Sequence, residues 1–254
     1  MSSTESRYIE SKASAGRYSL PSGLHIARRH VRPSTAQDEE EDCRVEPDFS
    51  KFVPFLKRKC GVEFRGRILE IGAGAAWLSA ELSKQPKVVE VIATDFSPKL
   101  LKDAAPKVFK ALRANGAKIT RTPADCHKLD FPNNHFDFVV SSAVLHDTAN
   151  VVQVLREAKR VLKPGGQFVA VREPVWPLMR IKSRKKMLEK LLATGINERF
   201  YTLAQYKEFF RQAALPLKVK RVNLSRGFKY YVNEVVNGLT HARYAFIGSK
   251  PGKR

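Results

Sequence analysis

Acidic residues are scarce in this chain: 25 Asp and Glu stand against 46 Lys and Arg, a net charge of +21. Cysteine is scarcer still. Cys43, Cys60 and Cys126 are odd in number and far apart, so they supply neither a disulfide framework nor a cysteine-based metal cluster. No metal site is expected, and a reducing compartment fits. No apolar run approaches the roughly 18 residues that a spanning helix needs, so no membrane span is expected. The first ten residues, MSSTESRYIE, hold no apolar signal core, and Glu5 and Glu10 speak against a transit peptide. The expected location is the cytoplasm, with organelle import the lesser alternative.

What is present is unevenly placed. Residues 1–50 carry 7 basic and 9 acidic side chains, whereas residues 176–254 carry 18 basic and 4 acidic. A basic C-terminal third can attract nucleic acid, anionic lipid or an acidic substrate, and can equally be a set of solvated helix faces. Hydrophobic residues make up 43% of the chain, enough to build a core.

The first 50 residues read as irregular, with an exposed acidic run at 38–42. DFSKFVPFLKRKC, from Asp48, reads as a helix with Pro54 near its first turn. From residue 67 the pattern changes. Apolar or β-branched runs at 67–71, 88–95, 118–125, 136–143 and 167–173 read as strands. Helical spacing falls at 75–84, from 98 onward, and at 151–162. Pro106 should divide the second of these, because it removes a donor from the helix ladder. Strands alternating with helices imply a parallel sheet wound by right-handed crossovers, with ligands held beyond the carboxyl ends of its strands. After residue 173 the alternation breaks. Helices are expected at 180–195 and at 202–215, the latter capped by Thr202, with a short helix within 226–241. Closing strands are expected at 217–224 and 242–250, with antiparallel pairing.

RILEIGAGAAWLS, residues 67–79, poses the chemical question. A buried strand ends in Glu70, and the next turn is stripped of side chains. Gly72 and Gly74 let backbone approach a ligand closely, and the following helix presents unpaired N–H groups. A tight turn, a dinucleotide cradle and a cradle for a cationic ligand all begin this way. A dinucleotide fingerprint would want glycine at position 77, where Trp77 stands. Glu70 would repel a pyrophosphate and welcome a cation such as an aminoacyl sulfonium. Asp95 ends the second strand, where a carboxylate can accept from two vicinal ribose hydroxyls.

Four stretches, LEIGAGAAWLS (69–79), VIATDFSPKLL (91–101), PADCHKLDFPNNHFDFVVSSAVLHD (123–147) and VLKPGGQFVAV (161–171), make the chain resemble the class I S-adenosylmethionine-dependent methyltransferases. Within that class it is similar to the group holding the ubiquinone/menaquinone-biosynthesis methyltransferases and many small-molecule enzymes. The likeness spans about residues 66–175. It departs at Ala76, where the family often has a third glycine. It implies an α/β, Rossmann-like, seven-stranded, mostly parallel sheet with an antiparallel last strand and helices on both faces. Residues 51–254 would form the methyltransferase domain, behind the 1–50 extension, with 176–200 a helical substrate lid after the fifth strand.

The resemblance also implies S-adenosyl-L-methionine as cofactor, held by Glu70, Gly72, Ala73, Gly74, Asp95, Phe96, Asp125, Cys126 and Ser141. Asp125 would meet the adenine amine and the Cys126 backbone the ring. His146 and Glu173 are the candidate bases, since imidazole titrates near neutrality. Arg172, Glu173 and Trp176 are expected to face the acceptor pocket. The Asn/Asp-Pro-Pro-aromatic motif of nucleic-acid amino-methyltransferases is missing, as is the Pro-Cys pair of cysteine-dependent pyrimidine methylation. The favoured partner is therefore a small-molecule acceptor, methylated by in-line displacement. Net +21 keeps nucleic acid as an alternative partner in an RNA or protein methyltransferase. A non-catalytic cofactor-binding subunit is a third reading, and a nicotinamide dehydrogenase ranks last. Oligomeric state is not legible.

Overall fold

A computed structural model of the chain describes residues 7–8, 49–175, 201–225 and 243–252. The acidic run 38–42, Cys43, the expected lid at 176–200 with Trp176, and the helix sought within 226–241 lie outside the described residues.

The strands are β1 (Arg7–Tyr8), β2 (Gly66–Ile71), β3 (Val88–Asp95), β4 (Ile119–Pro123), β5 (Phe136–Ser142), β6 (Leu162–Pro174), β7 (Leu217–Arg221) and β8 (Arg243–Ser249). They form one eight-stranded sheet in the order β1-β4-β3-β2-β5-β6-β8-β7. Strand β8 runs antiparallel to both β6 and β7, and every other pairing is parallel. The seven expected strands are all present. The eighth comes from the segment read as irregular: Arg7 and Tyr8 extend the sheet beyond β4, a two-residue addition too short to show any periodicity.

The helices are α1 (Phe49–Phe55), α2 (Trp77–Ser83), α3 (Ala105–Leu112), α4 (Val151–Val161) and α5 (Leu203–Gln212). In α4, Val151, Val154, Leu155, Ala158 and Val161 are buried, the stripe that a 3.6-residue repeat turns toward a sheet. Asn150 caps it by accepting from the Gln153 N–H at 3.0 Å. Thr202 caps α5 in a reciprocal capping box with Gln205. Pro106 acts as expected: a wide π-type turn over Leu100–Ala104 precedes it, and the regular helix restarts at Ala105. Pro54 lies near the end of α1 rather than in its first turn, and a second wide turn, Leu56–Cys60, follows it.

Two apolar layers cover the sheet. Phe49, Phe52, Trp77 and Leu78 of α1 and α2 pack with Ile68, Val169 and Val171 on one face. Leu155, Tyr206 and Phe210 of α4 and α5 pack with Leu69, Ile71, Val139 and Ala170 on the other. The period of two along β2 therefore sends Ile68 and Glu70 toward α1 and α2, and Leu69 and Ile71 toward α4 and α5. Strand order reverses between β2 and β5, where Ile71 lies beside Ser141. That is the switch point at which open α/β sheets hold their ligands.

Candidate functional site

The bend after β2 is left-handed at Gly72 (φ 60°), Gly74 (φ 53°) and Ala76 (φ 58°). The glycines answer different needs. A Cβ on Gly72 would come within 2.6 Å of Val144 Cγ2, whereas one on Gly74 would meet nothing within 4 Å. Gly72 is thus required by packing as well as by φ, while Gly74 faces open space. Ala76, at the departure from the family pattern, holds the left-handed conformation with its methyl buried. The bend is pinned by the Ala73 N–H donating to Thr94 O at 2.8 Å.

Two carboxylates flank it. Glu70 is fully buried, and its Oε2 accepts from the Ser79 N–H at 2.8 Å and from the Ser79 hydroxyl. Ser79 sits in the first turn of α2, so Glu70 neutralises an unpaired helix-start donor. Its other oxygen, Oε1, has no hydrogen-bond partner among the described residues. Burial pushes the Glu70 carboxyl up to about 8, against the lowering effect of the Ser79 bonds. Asp95 Oδ2 accepts from the Gly74 N–H at 2.7 Å, and Oδ1 from the Ser97 N–H at 2.8 Å. Burial also raises Asp95, and these backbone donors lower it. Ser97 shares the capping of the next turn with Asp95, its Oγ accepting from the Leu100 N–H at 3.4 Å. Phe96, 75% exposed, stands out beside them.

Beyond β4, Asp125 Oδ1 accepts from the His127 N–H at 2.8 Å and pairs with its Nδ1 at 2.9 Å. This bond lowers Asp125 and raises His127. The Asn150 N–H, facing His127 Nε2 at 3.3 Å, opposes a second ring proton. Asp125, Cys126 and His127 each offer one ligand atom within 4.8 Å of the others. Among the described residues they are the group with that spacing, and His127 Nδ1 is already engaged by Asp125.

The turn after β5 gathers around Glu173. Its Oε1 accepts from the N–H groups of Val144 (2.9 Å) and Leu145 (3.0 Å). Its Oε2 accepts from the His146 N–H (3.3 Å), meets His146 Nδ1 (3.0 Å) and accepts from the Tyr206 hydroxyl (3.4 Å). Glu173 is completely buried. The expectation that it opens onto an acceptor pocket is therefore corrected: it clamps the turn from beneath. His146 is 8% exposed, and its Nε2 lies 3.7 Å from Asp147 Oδ2. Ser141 Oγ and Ser142 Oγ, at the end of β5, are buried and have no hydrogen-bond partner among the described residues.

Residues 69–170 match the family model for a methyltransferase domain. The chain is 31% identical over 116 residues to the ubiquinone/menaquinone biosynthesis C-methyltransferase UbiE of Geobacter sp. (strain M21), covering 45% of this chain and 48% of that one. It spans about half the length of the curated relatives it matches. A chain from the complex of the Haloferax volcanii Trm112 methyltransferase activator with a methyltransferase superposes with TM-score 0.64 at 17% identity, over 88% of this chain and 99% of that one. Phosphoethanolamine N-methyltransferase 2 of Haemonchus contortus, in complex with S-adenosylhomocysteine, gives 0.59 at 18% identity, over 78% and 52%. These structural likenesses establish the fold. Over residues 69–170 the chain is therefore similar to methyltransferase domains.

The tertiary structure gathers Glu70, Gly72, Ala73, Gly74 and Asp95 around one bend and sets Ser141 on the neighbouring strand. Asp125 and Cys126 follow β4, beyond β3, where Ala124 N–H donates to Asp95 O at 3.0 Å. Three contributors escaped the sequence reading. Ser79 was hidden in a helical repeat, although its position in the first turn of α2 was a usable signal. Tyr206 reaches Glu173 from 33 residues away. Phe49 stacks on Trp77 with ring centroids 4.1 Å apart, and no local pattern announces that contact.

Proposed function

We propose that the chain is an S-adenosylmethionine-dependent methyltransferase that transfers a methyl group to a small-molecule acceptor by in-line displacement. The observation that carries this reading is the pair of carboxylates, buried Glu70 and half-buried Asp95, flanking a side-chain-free bend at the switch point. The donor set suits the cofactor. Glu70 Oε1 and Ser141 Oγ are buried polar atoms lacking partners among the described residues, and the Gly74 position is open where a Cβ would stand. A cationic amino acid moiety would satisfy Glu70, and vicinal hydroxyls would satisfy Asp95.

S-Adenosylmethionine, when bound, supplies a methyl group already activated by a sulfonium. The protein's residues accordingly bind, orient and exclude water. Gly72 lets Val144 close over the end of β2, so the clamped turn and the bend form one surface. Asp95 holds the bend until a ligand takes over its two acceptor positions. His146 Nδ1 faces Glu173, which fixes the ring, and this imidazole is the candidate base for an acceptor that must lose a proton.

The test is calorimetric titration with S-adenosylhomocysteine, followed by labelled-methyl transfer to extract fractions with and without nuclease. Asp95→Ala should weaken cofactor binding by about 10- to 100-fold, the loss of charge-assisted hydrogen bonds. Unaltered heat in that variant would refute the assignment. Nuclease-sensitive transfer would instead favour a nucleic-acid acceptor, a reading that net +21 keeps in view.

A further inference from the structure

The loop after β4 is held by a chain of hydrogen bonds that starts on α4. Asn150 caps that helix, and its own N–H points at His127 Nε2, 3.3 Å away. A backbone N–H can only donate, so Nε2 accepts and the ring hydrogen belongs on Nδ1. Nδ1 lies 2.9 Å from Asp125 Oδ1, which also accepts from the His127 N–H at 2.8 Å. A second ring proton, on Nε2, would leave the Nδ1 bond in place. Gln153, in the first turn of α4, adds a further tie, its Nε2 donating to His127 O at 3.2 Å.

An aspartate that only shapes a turn needs one donor, the N–H two residues on. Asp125 Oδ1 has a second, and the imidazole that supplies it is itself fixed to a helix. The carboxylate therefore cannot turn without breaking a bond. Its Oδ2 has no hydrogen-bond partner among the described residues, and the side chain is 43% exposed. Asp125 stands at the same end of the sheet as Asp95. Pro123 pairs with Asp95, and the Ala124 N–H donates to Asp95 O at 3.0 Å. One strand spacing across and two residues along is about 8 Å of backbone, a gap that one nucleoside can bridge.

We propose that His127 is a positioning residue for the cofactor's base: it fixes Asp125 so that Oδ2 accepts from an exocyclic amine, which makes the site prefer a 6-aminopurine to a 6-oxopurine. This rests on the methyltransferase reading, with the sugar at Asp95, and adds the group that holds the base contact in place. A carboxylate oxygen accepts and cannot donate, so it attracts an amine hydrogen and repels a carbonyl oxygen. That preference is sharp only where the oxygen is held ready before the ligand arrives, because a carboxylate free to turn loses part of the gain in becoming ordered. His127 acts through Asp125 and needs no contact with the ligand.

The experiment titrates the full chain with S-adenosylhomocysteine and with S-inosylhomocysteine, in which a carbonyl oxygen replaces the amine. The parent should prefer the adenosyl ligand by about 30-fold, in the range for a hydrogen bond to a charged group. His127→Phe keeps a ring but offers Asp125 no N–H, and should cut that preference to about threefold, through weaker binding of the adenosyl ligand. His127→Asn, whose amide can present an N–H near the place of Nδ1, should recover most of it. Thermal melting checks the fold of each variant. A parent that binds both ligands equally overturns the proposal, and so does a His127→Phe variant that keeps the parent's preference. Equal loss of both ligands in that variant also overturns it, because a purely structural role weakens the two together. A His127→Asn variant no better than His127→Phe does the same. A parent chain that binds neither ligand refutes the methyltransferase reading itself, and the base contact falls with it.

Discussion

At the scale of single residues, the two glycines of the bend make opposite demands although the sequence presents them alike. Gly72→Ala would force a Cβ against Val144 at 2.6 Å as well as a left-handed alanine. It should destabilise by about 2–4 kcal/mol, overpacking added to backbone strain. Gly74→Ala meets only the strain, about 1–2 kcal/mol, because nothing lies within reach of its Cβ. Denaturant midpoints of the two variants check the contrast, and equal losses would refute it. Glu70 supplies a pH dependence. Its carboxyl titrates near 8 in the folded protein, above the 4.5 of an exposed glutamate. The folded state therefore holds a proton that the unfolded state has lost, and stability falls as pH rises between those values. Glu70→Gln, which keeps the Ser79 bond and never ionises, should flatten the melting temperature between pH 5 and about 8. A parent-like slope in that variant would assign the dependence to other groups.

At the scale of elements, Glu173 ties β6 to the turn after β5 and to α5, three segments that meet nowhere in sequence. Truncation to alanine leaves the Val144, Leu145 and His146 N–H groups and the Tyr206 hydroxyl without their acceptor. The expected cost is about 3–5 kcal/mol, as for breaking a buried charged cluster. Glu173→Gln preserves shape but offers a single carbonyl oxygen, and should lose about half of that. Hydrogen exchange at residues 144–146 should quicken in both variants. Unchanged protection there would show that the turn is held by something else.

This element was only partly legible. The short apolar run 67–71 and the β-branched run 88–95 declared their strands because buried parallel strands are filled on both faces. Asp95 and Glu70 could be placed at strand ends for the same reason. The bulge in β6, where Ala170 pairs with Phe246 but Glu173 with Tyr244, could not be seen, because an inserted residue changes which face a side chain takes without changing composition. Arg172 and Glu173 therefore looked like neighbours in one pocket, whereas Arg172 lies over the Phe49 and Trp77 rings and Glu173 beneath the turn after β5.

At the scale of the whole molecule, charge is concentrated by folding. Lys57, Arg58 and Lys59 close the wide turn after α1, and Lys218 and Lys220 project from the edge strand β7. The two groups meet at Cys60, whose carbonyl accepts from Lys218 Nζ at 2.9 Å. Burial raises the Cys60 thiol even with Lys218 and Lys220 drawing it down. Such a patch should hold the protein on heparin in a salt-dependent way. Replacing Lys57 and Lys220 by glutamate should lower the salt needed for elution. An unchanged elution point would place the retention elsewhere on the chain. No helix among the described residues is long and apolar enough to cross a membrane.

Strand identity, helix caps and the glycine bend were determined by the sequence alone, because each depends on residues within a few positions of one another: a period of two or 3.6, a Thr-x-x-Gln box, a proline that removes a donor. Only the tertiary structure decided that Arg7 and Tyr8 join the sheet, that Glu173 works beneath a turn, and that Arg172 crosses to Phe49 and Trp77. Those outcomes depend on register and packing between distant segments, where a shift of one residue reverses the direction of a side chain.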